Sequence, residues 1–146
     1  LAQKETFLMS NIVPQTPYVN RGIWKDLEMT VAKRYGRYFG EVWVVTGPIF
    51  KNLDQKLNSG IAIPSHYYKI IADEHEGKLR VMAFLVEAHC PPYTRIKTRL
   101  VSIDELELRT GLNFFPELDQ EDQIVLESNS ATRLWPVVIP ALKYYF

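Results

Sequence analysis

The spacing of apolar residues predicts one amphipathic helix in the first third of the chain. Between about Asn20 and Tyr35, apolar side chains recur at steps of three and four residues, which places them in one stripe that faces a sheet. Gly36 follows the stripe and is expected to end the helix. The loop before the helix is bracketed by Pro14 and Pro17, which restrict the backbone and reverse its direction. The stripe consists of Trp24, Leu27, Val31 and Tyr35.

Four apolar stretches are typical of strands. Residues 5–12 show little alternation, which predicts a strand buried on both faces. Residues 41–46 are rich in β-branched and aromatic side chains and are expected to end before the Gly-Pro pair that follows. Residues 61–72 and 79–87 flank a polar turn and predict an antiparallel hairpin.

The last third of the chain predicts two short helices. Residues 94–101 alternate loosely between basic and other side chains, which is consistent with an edge strand or an extended loop. Ser102 is expected to cap a helix that has Glu105 at the capping-box position and that ends at Gly111. An acidic segment at 119–128 predicts a further helix, and the aromatic pair between the two helices is expected to dock on the core.

Size and composition predict one globular domain covering residues 1–146. Apolar residues make up 47% of the chain and charged residues 23%, which argues against disorder. Lysine plus arginine equals aspartate plus glutamate at 17 each, so the overall charge gives no nucleic-acid signature, although a basic groove can form locally. No apolar run is long enough to span a membrane. The single Cys90 excludes an internal disulfide and a multi-cysteine zinc site.

Asn20 and Glu28 are the first candidates for a functional site. Each has an ordinary structural explanation by itself, because asparagine is a common helix N-cap and a helical glutamate is commonly solvated. Together they suit a hydrated hard cation. In one continuous helix the two residues lie about 80° apart around the axis and ~12 Å apart along it. Asn20 would then coordinate the ion, and Glu28 would accept hydrogen bonds from its waters.

The residues around this pair carry a longer pattern. The chain has FLMSNIVPQ at positions 7–15, followed by Asn20, Trp24, Leu27 and Glu28. Further blocks are VVTGP at 44–48, SIDE at 102–105, TGL at 110–112 and FF at 114–115. In this order and spacing the chain resembles the DNA/RNA non-specific endonucleases, a family of ββα-metal nucleases. The resemblance covers about residues 5 to 116.

The resemblance implies an α+β fold of the ββα-metal (His-Me finger) type, with a central, mostly antiparallel sheet flanked by helices, here as a C-terminal fragment. It implies a Mg²⁺-dependent endonuclease, with Mn²⁺ as an alternative ion, that hydrolyses phosphodiester bonds of DNA and RNA. Asn20 would ligate the metal, and Glu28 would hold the metal's water shell, so the two form the catalytic pair. Substrate contacts would come from Asn11, Gln15, Arg21 and Arg34.

The family's catalytic histidine stands in an Asp-Arg-Gly-His motif some tens of residues before the metal-binding asparagine, and this chain starts after that position. We therefore expect the general base to come from an N-terminal segment or separate chain. Either the polypeptide was cut and its N-terminal fragment stays associated with this one, which we favour, or the fragment was lost or the chain truncated. None of the histidines at 66, 75 and 89 follows such a motif, so none is assigned as the base. Many members also have an arginine four residues after the glutamate, where this chain has Ala32. This departure weakens the expectation that the position stabilises transition-state charge.

Two other functions stay open. One is a catalytically inactive nuclease-like domain used for binding or scaffolding, as at the C-terminus of some nucleotide pyrophosphatase/phosphodiesterases, whose sequences residues 63–68 also resemble. Asn20 together with Glu28 argues against this function because a scaffold needs neither. The other is a toxin-type nuclease with an inhibitor partner. The family resemblance favours a secreted or periplasmic location, and no membrane partner is expected.

Overall fold

A four-stranded antiparallel sheet forms the centre of the computed structural model, which describes residues 13–137. The strands are adjacent in the sheet in the same order as in the chain. They are β1 (Trp43–Ile49), β2 (His66–His75), β3 (Lys78–Glu87) and β4 (Leu100–Val101). The predicted strand at 5–12 and Asn11 lie outside the described residues. The predicted α+β class with a mostly antiparallel sheet is confirmed.

The hairpin of β2 and β3 has a shorter turn than the sequence predicts. Glu76 and Gly77 alone form the turn, with φ of 51° and 73°, and the strands continue through the polar residues on either side. Asp73 and Arg80 face each other across the hairpin and form an ion pair, so these charged residues belong to the strands. β2 begins at His66, five residues later than the predicted start at Ile61.

β1 differs from its prediction because it continues through the Gly-Pro pair to Ile49. Within residues 13–137 it pairs on one side only, so Pro48 removes no hydrogen bond that a second neighbour in this part of the chain would need. Gly47 lies opposite Tyr68 of β2, and a Cβ at this position would come within 2.5–2.7 Å of the tyrosine hydroxyl and ring. Glycine here makes room for the tyrosine ring and does not end the strand.

The helical segment on one face of the sheet is broken, whereas the sequence predicts a single helix from about Asn20. Its parts are α1 (Pro17–Arg21), α2 (Ile23–Met29), a π-helical turn (Thr30–Tyr35) and α3 (Gly36–Phe39). Gly22 separates α1 from α2, and a Cβ there would collide with the carbonyl oxygen of Tyr18. The expectation that Gly36 ends the helix is wrong, since the helix ends at Gly40, whose φ is 80°.

Two cores form because alternate residues of the central hairpin point to opposite faces of the sheet. On the first face the helices from Pro17 to Phe39 cover a core that contains Tyr67, Ile71 and Phe84. On the second face Tyr68 and Ile70 pack against a later helix. The buried stripe of the first helical segment includes Val19, Ile23, Trp24, Leu27 and Tyr35.

The two predicted C-terminal helices are confirmed as α4 (Ile103–Thr110) and α5 (Gln120–Ser128). The Ser102 hydroxyl accepts a hydrogen bond from the Glu105 amide at 3.1 Å, and Gly111 ends α4 in the left-handed region. Residues 96–99, predicted as strand or loop, form a 3₁₀ turn before β4. Among the described residues, none of the helices combines the length and apolar character that crossing a bilayer requires.

Candidate active site

The loop before α1 places Asn20 on the surface. Thr16 is the N-cap of α1, because its hydroxyl accepts a hydrogen bond from the Val19 amide at 3.4 Å. The same hydroxyl donates to the carbonyl of Ala88 at 3.1 Å, which ties the start of α1 to the end of β3. Val19 is fully buried, so its neighbour Asn20 faces solvent. Asn20 is therefore not the N-cap that the sequence suggested, and its side chain is exposed.

Glu28 lies on the exposed side of α2. The buried side of this helix carries Trp24 and Leu27, which fix its orientation on the sheet. Because Gly22 breaks the helix between Asn20 and Glu28, the angle and rise expected for one continuous helix do not apply to this pair. Both side chains remain exposed on the same helical segment.

A buried lysine beneath α2 is the functional candidate that the sequence analysis missed. Lys69 of β2 is only 6% exposed, and its Nζ lies 4.7 Å from the centre of the Trp24 ring. The ammonium donates a hydrogen bond to the hydroxyl of Thr46 on β1 at 3.0 Å. Burial lowers the pKa of Lys69, and the nearby carboxylate of Glu28 opposes this effect.

The burial of the Lys69 ammonium requires compensating contacts. An ammonium group is costly to bury unless a carboxylate or other acceptors compensate for lost water. Here the compensation comes from the Thr46 hydroxyl, the Trp24 ring face and the Glu28 carboxylate. The sequence signals Lys69 only as a lysine within an otherwise apolar strand, YYKII. A lysine in a strand is usually explained by a solvent-exposed face, so this pattern by itself indicates no function.

Two of the predicted substrate-binding residues, Gln15 and Arg34, line separate depressions. Gln15 lines a cavity of about 540 Å³ together with Lys56, Tyr67 and His89. The Tyr67 hydroxyl donates to the carbonyl of Pro14, which holds this loop against the sheet. Arg34, in the π-helical turn, lines a different cavity.

The second depression is basic. Lys33, Arg34 and Arg95 contribute to its lining, together with apolar side chains such as Leu134. Arg21 is exposed at the end of α1, between Asn20 and the break at Gly22. Exposed guanidinium and ammonium groups of this kind bind phosphate without reading bases.

The described histidines are placed away from the Glu28–Lys69 pair or at the surface. His66 begins β2 on the second face of the sheet, and its Nδ1 lies 3.0 Å from the Ser65 hydroxyl. Burial lowers the pKa of His66, and Arg109 on α4 lowers it further, while Glu87 opposes these effects. His75 lies at the hairpin turn and is exposed.

Comparison with known proteins gives the family. A family model for DNA/RNA non-specific endonucleases matches residues 1–121. The mitochondrial nuclease EXOG of Danio rerio is 36% identical over 137 residues, which cover 82% of this chain and 39% of the relative. A nuclease of Serratia marcescens is 32% identical over 139 residues, covering 92% of this chain and 50% of the relative. The chain thus spans about half or less of the length of these relatives.

The solved structures agree. A chain from the crystal structure of a complex between EndoG and its inhibitor EndoGI superposes with a TM-score of 0.68 at 29% identity. The match covers 81% of this chain and 54% of the other. One of these relatives is named a mitochondrial nuclease and the other comes from a bacterium. The secreted or periplasmic location of this chain therefore stays a prediction. The family match over most of the sequence, together with the shared fold, shows that this chain belongs to the DNA/RNA non-specific endonuclease family.

Proposed function

We propose that this chain carries the metal-binding part of a Mg²⁺-dependent nuclease that hydrolyses phosphodiester bonds in DNA and RNA. The observation that carries the proposal is the exposure of Asn20 and Glu28 on a helical segment whose buried side is fixed by Trp24. Asn20 caps no helix, so the ordinary structural reason for an asparagine at this place does not apply. A family member that exposes both side chains retains the two groups proposed to hold the ion and its waters.

The donor set suits a hard cation. The amide oxygen of Asn20 is a neutral ligand, and the Glu28 carboxylate can accept hydrogen bonds from waters, which suits an ion that dehydrates reluctantly. Asn20 would hold the ion, and Glu28 would orient its water shell. When bound, Mg²⁺, or Mn²⁺ in its place, supplies Lewis-acid stabilisation of charge on the phosphate and the leaving oxygen.

The other residues have supporting roles in this proposal. Gln15, Arg21 and Arg34 contact phosphate and sugar, together with Asn11, which lies outside the described residues. Such contacts carry no base information, so both DNA and RNA are accepted. The general base is a histidine from a part of the protein that this chain does not contain, in keeping with relatives about twice as long.

Lys69 is the positioning residue for Glu28. Its ammonium is held by Thr46 and Trp24, and so it presents a fixed positive charge to the carboxylate from below. Attraction to this charge favours one orientation of the Glu28 carboxylate. Its role is to orient Glu28 and not to touch the substrate.

The proposed activity is tested by incubating plasmid DNA and single-stranded RNA with the protein that contains this chain. Cleavage of both is expected with Mg²⁺ and is expected to stop with a chelator, because charge on the phosphate is then not neutralised. Restoring Mg²⁺ or Mn²⁺ should restore cleavage. Binding of nucleic acid without any cleavage under all conditions would favour the scaffold function instead.

Replacing Lys69 with methionine is expected to lower kcat about tenfold, equivalent to ~1.4 kcal/mol of transition-state stabilisation. Methionine fills similar space but offers no charge to Glu28 and no donor to Thr46. The Mg²⁺ concentration for half-maximal rate should rise with it, which a merely structural role would not cause. Lys78→Met, at an exposed lysine of the same hairpin, is the control. An unchanged rate and Mg²⁺ dependence in Lys69→Met would exclude the positioning role.

A further inference from the structure

The only residue of helix α5 that is buried is an acidic one. Glu127 is 7% exposed, while the apolar Ile124 and Val125 of the same helix are 61% and 64% exposed. Its Oε1 atom is inaccessible to solvent and has no hydrogen-bond partner among the described residues. A carboxylate left in this state is unfavourable, so it needs a proton or a cation.

Two further carboxylates converge on the same point. Asp104 and Glu107, both on α4, place an oxygen so that these two and one from Glu127 all lie within 4.8 Å of one another. Glu107 is held in place because its Oε1 accepts a hydrogen bond from the Phe114 amide at 2.8 Å. The basic residue nearest in sequence, Arg109, is paired with Glu105 at 2.6 Å.

The geometry suits one hard divalent cation. Oxygen atoms bound to a Ca²⁺ ion at about 2.3–2.6 Å lie no more than roughly 5 Å apart. Calcium accepts several carboxylates in flexible arrangements, whereas magnesium usually keeps most of its waters and binds one or two. Burial raises the pKa of Glu127, the charges of Glu107 and Asp104 raise it further, and a hydrogen bond from the Gln123 side chain opposes these effects.

This cluster is separate from the proposed active site. Helix α4 packs on the second face of the sheet through Ile103 and Leu106, whereas Asn20 and Glu28 belong to the helical segment on the first face. The three carboxylates come from both α4 and α5. An ion there would join the two helices.

We propose that Asp104, Glu107 and Glu127 form a second cation site, suited to Ca²⁺, that joins α5 to α4. The site is structural and does not depend on the catalytic proposal. A cation bound only to the folded state raises stability by mass action. The ion therefore stabilises the fold whether or not the protein cleaves nucleic acid.

Thermal unfolding of the protein that contains this chain tests the site, at neutral pH, with a chelator or with excess CaCl₂. Calcium is expected to raise the Tm of the wild type by several degrees. Glu127→Gln and Asp104→Asn should abolish this increase, and the exposed Asp104 provides a variant whose folding is not at risk. Isothermal titration should show loss of calcium binding in the same two variants.

Two controls locate the effect. Glu121→Gln removes an exposed carboxylate from the same helix and should leave the calcium response intact. Asn20→Ala should also leave it intact, which separates this site from the proposed catalytic ion. A wild-type Tm that does not respond to calcium, with Glu127→Gln as stable or more stable, would show that a proton neutralises Glu127 and would overturn the proposal. A calcium response that persists in Glu127→Gln and Asp104→Asn would overturn it as well.

Discussion

Asn20→Ala is expected to lower kcat/KM for cleavage of DNA and RNA by at least about a hundredfold, equivalent to ~2.7 kcal/mol of transition-state stabilisation. The amide oxygen is the proposed metal ligand, and alanine offers no oxygen in its place. Stability should be almost unchanged, because the side chain is exposed and alanine favours a helix. Initial rates on plasmid and on single-stranded RNA, measured over a range of Mg²⁺ concentrations, provide the test.

The matched control is Asn58→Ala, which removes an exposed amide from the polar loop between β1 and β2. It should cleave like the wild type. If Asn20→Ala is folded and cleaves at the wild-type rate at every Mg²⁺ concentration, Asn20 is not the ligand. A loss of activity accompanied by a large fall in Tm would instead assign Asn20 to the fold.

Arg80→Ala is expected to lower the free energy of unfolding by about 3–5 kcal/mol, because it leaves a buried carboxylate without its partner. Asp73 is 2% exposed, and the guanidinium of Arg80 bonds to both of its oxygens, at 2.5 and 2.8 Å. The same guanidinium lies 4.1 Å from the centre of the Trp135 ring and 4.6 Å from that of Phe39. The variant therefore loses cation–π contacts as well. Urea unfolding at neutral pH measures the difference.

Arg109→Ala is the control for this measurement. Its ion pair with Glu105 has a similar distance, 2.6 Å, but both side chains are about 40% exposed, at 41% and 38%. Solvent screens such a pair, so a loss of less than ~1 kcal/mol is expected. The double variant Asp73→Leu with Arg80→Met should recover part of the stability, since no charge is then left buried. Equal losses in Arg80→Ala and Arg109→Ala would contradict the explanation by burial.

The parts of the fold that the sequence predicts are those set by local chemistry. The hairpin, the Ser102 cap and the Gly111 terminus follow from turn and cap residues, and all three are present. The predictions are wrong where a contact with a residue distant in sequence determines whether a strand or helix continues. Gly47 and Gly36 look like terminators from their neighbours alone, yet one accommodates the Tyr68 ring and the other continues a helix.

The candidate site shows the same division. The family pattern names Asn20 and Glu28, but only the structure shows that Thr16 caps the helix and that Gly22 breaks it. Lys69 is more than forty positions from Glu28 in the sequence, and the two charges act on each other only because β2 lies under α2. A π-helical turn has no reliable sequence signature either, because it inserts one residue into an otherwise helical pattern.

The order of the strands has a consequence for how the chain acquires its structure. Each strand pairs with the next one in the sequence, and a two-residue turn joins the longest two. Pairing of this kind involves short chain separations, so little loop entropy is lost before contacts form. The β2–β3 hairpin also supplies residues to both cores. We therefore expect the hairpin to form early in folding and the helices to pack afterwards on its two faces.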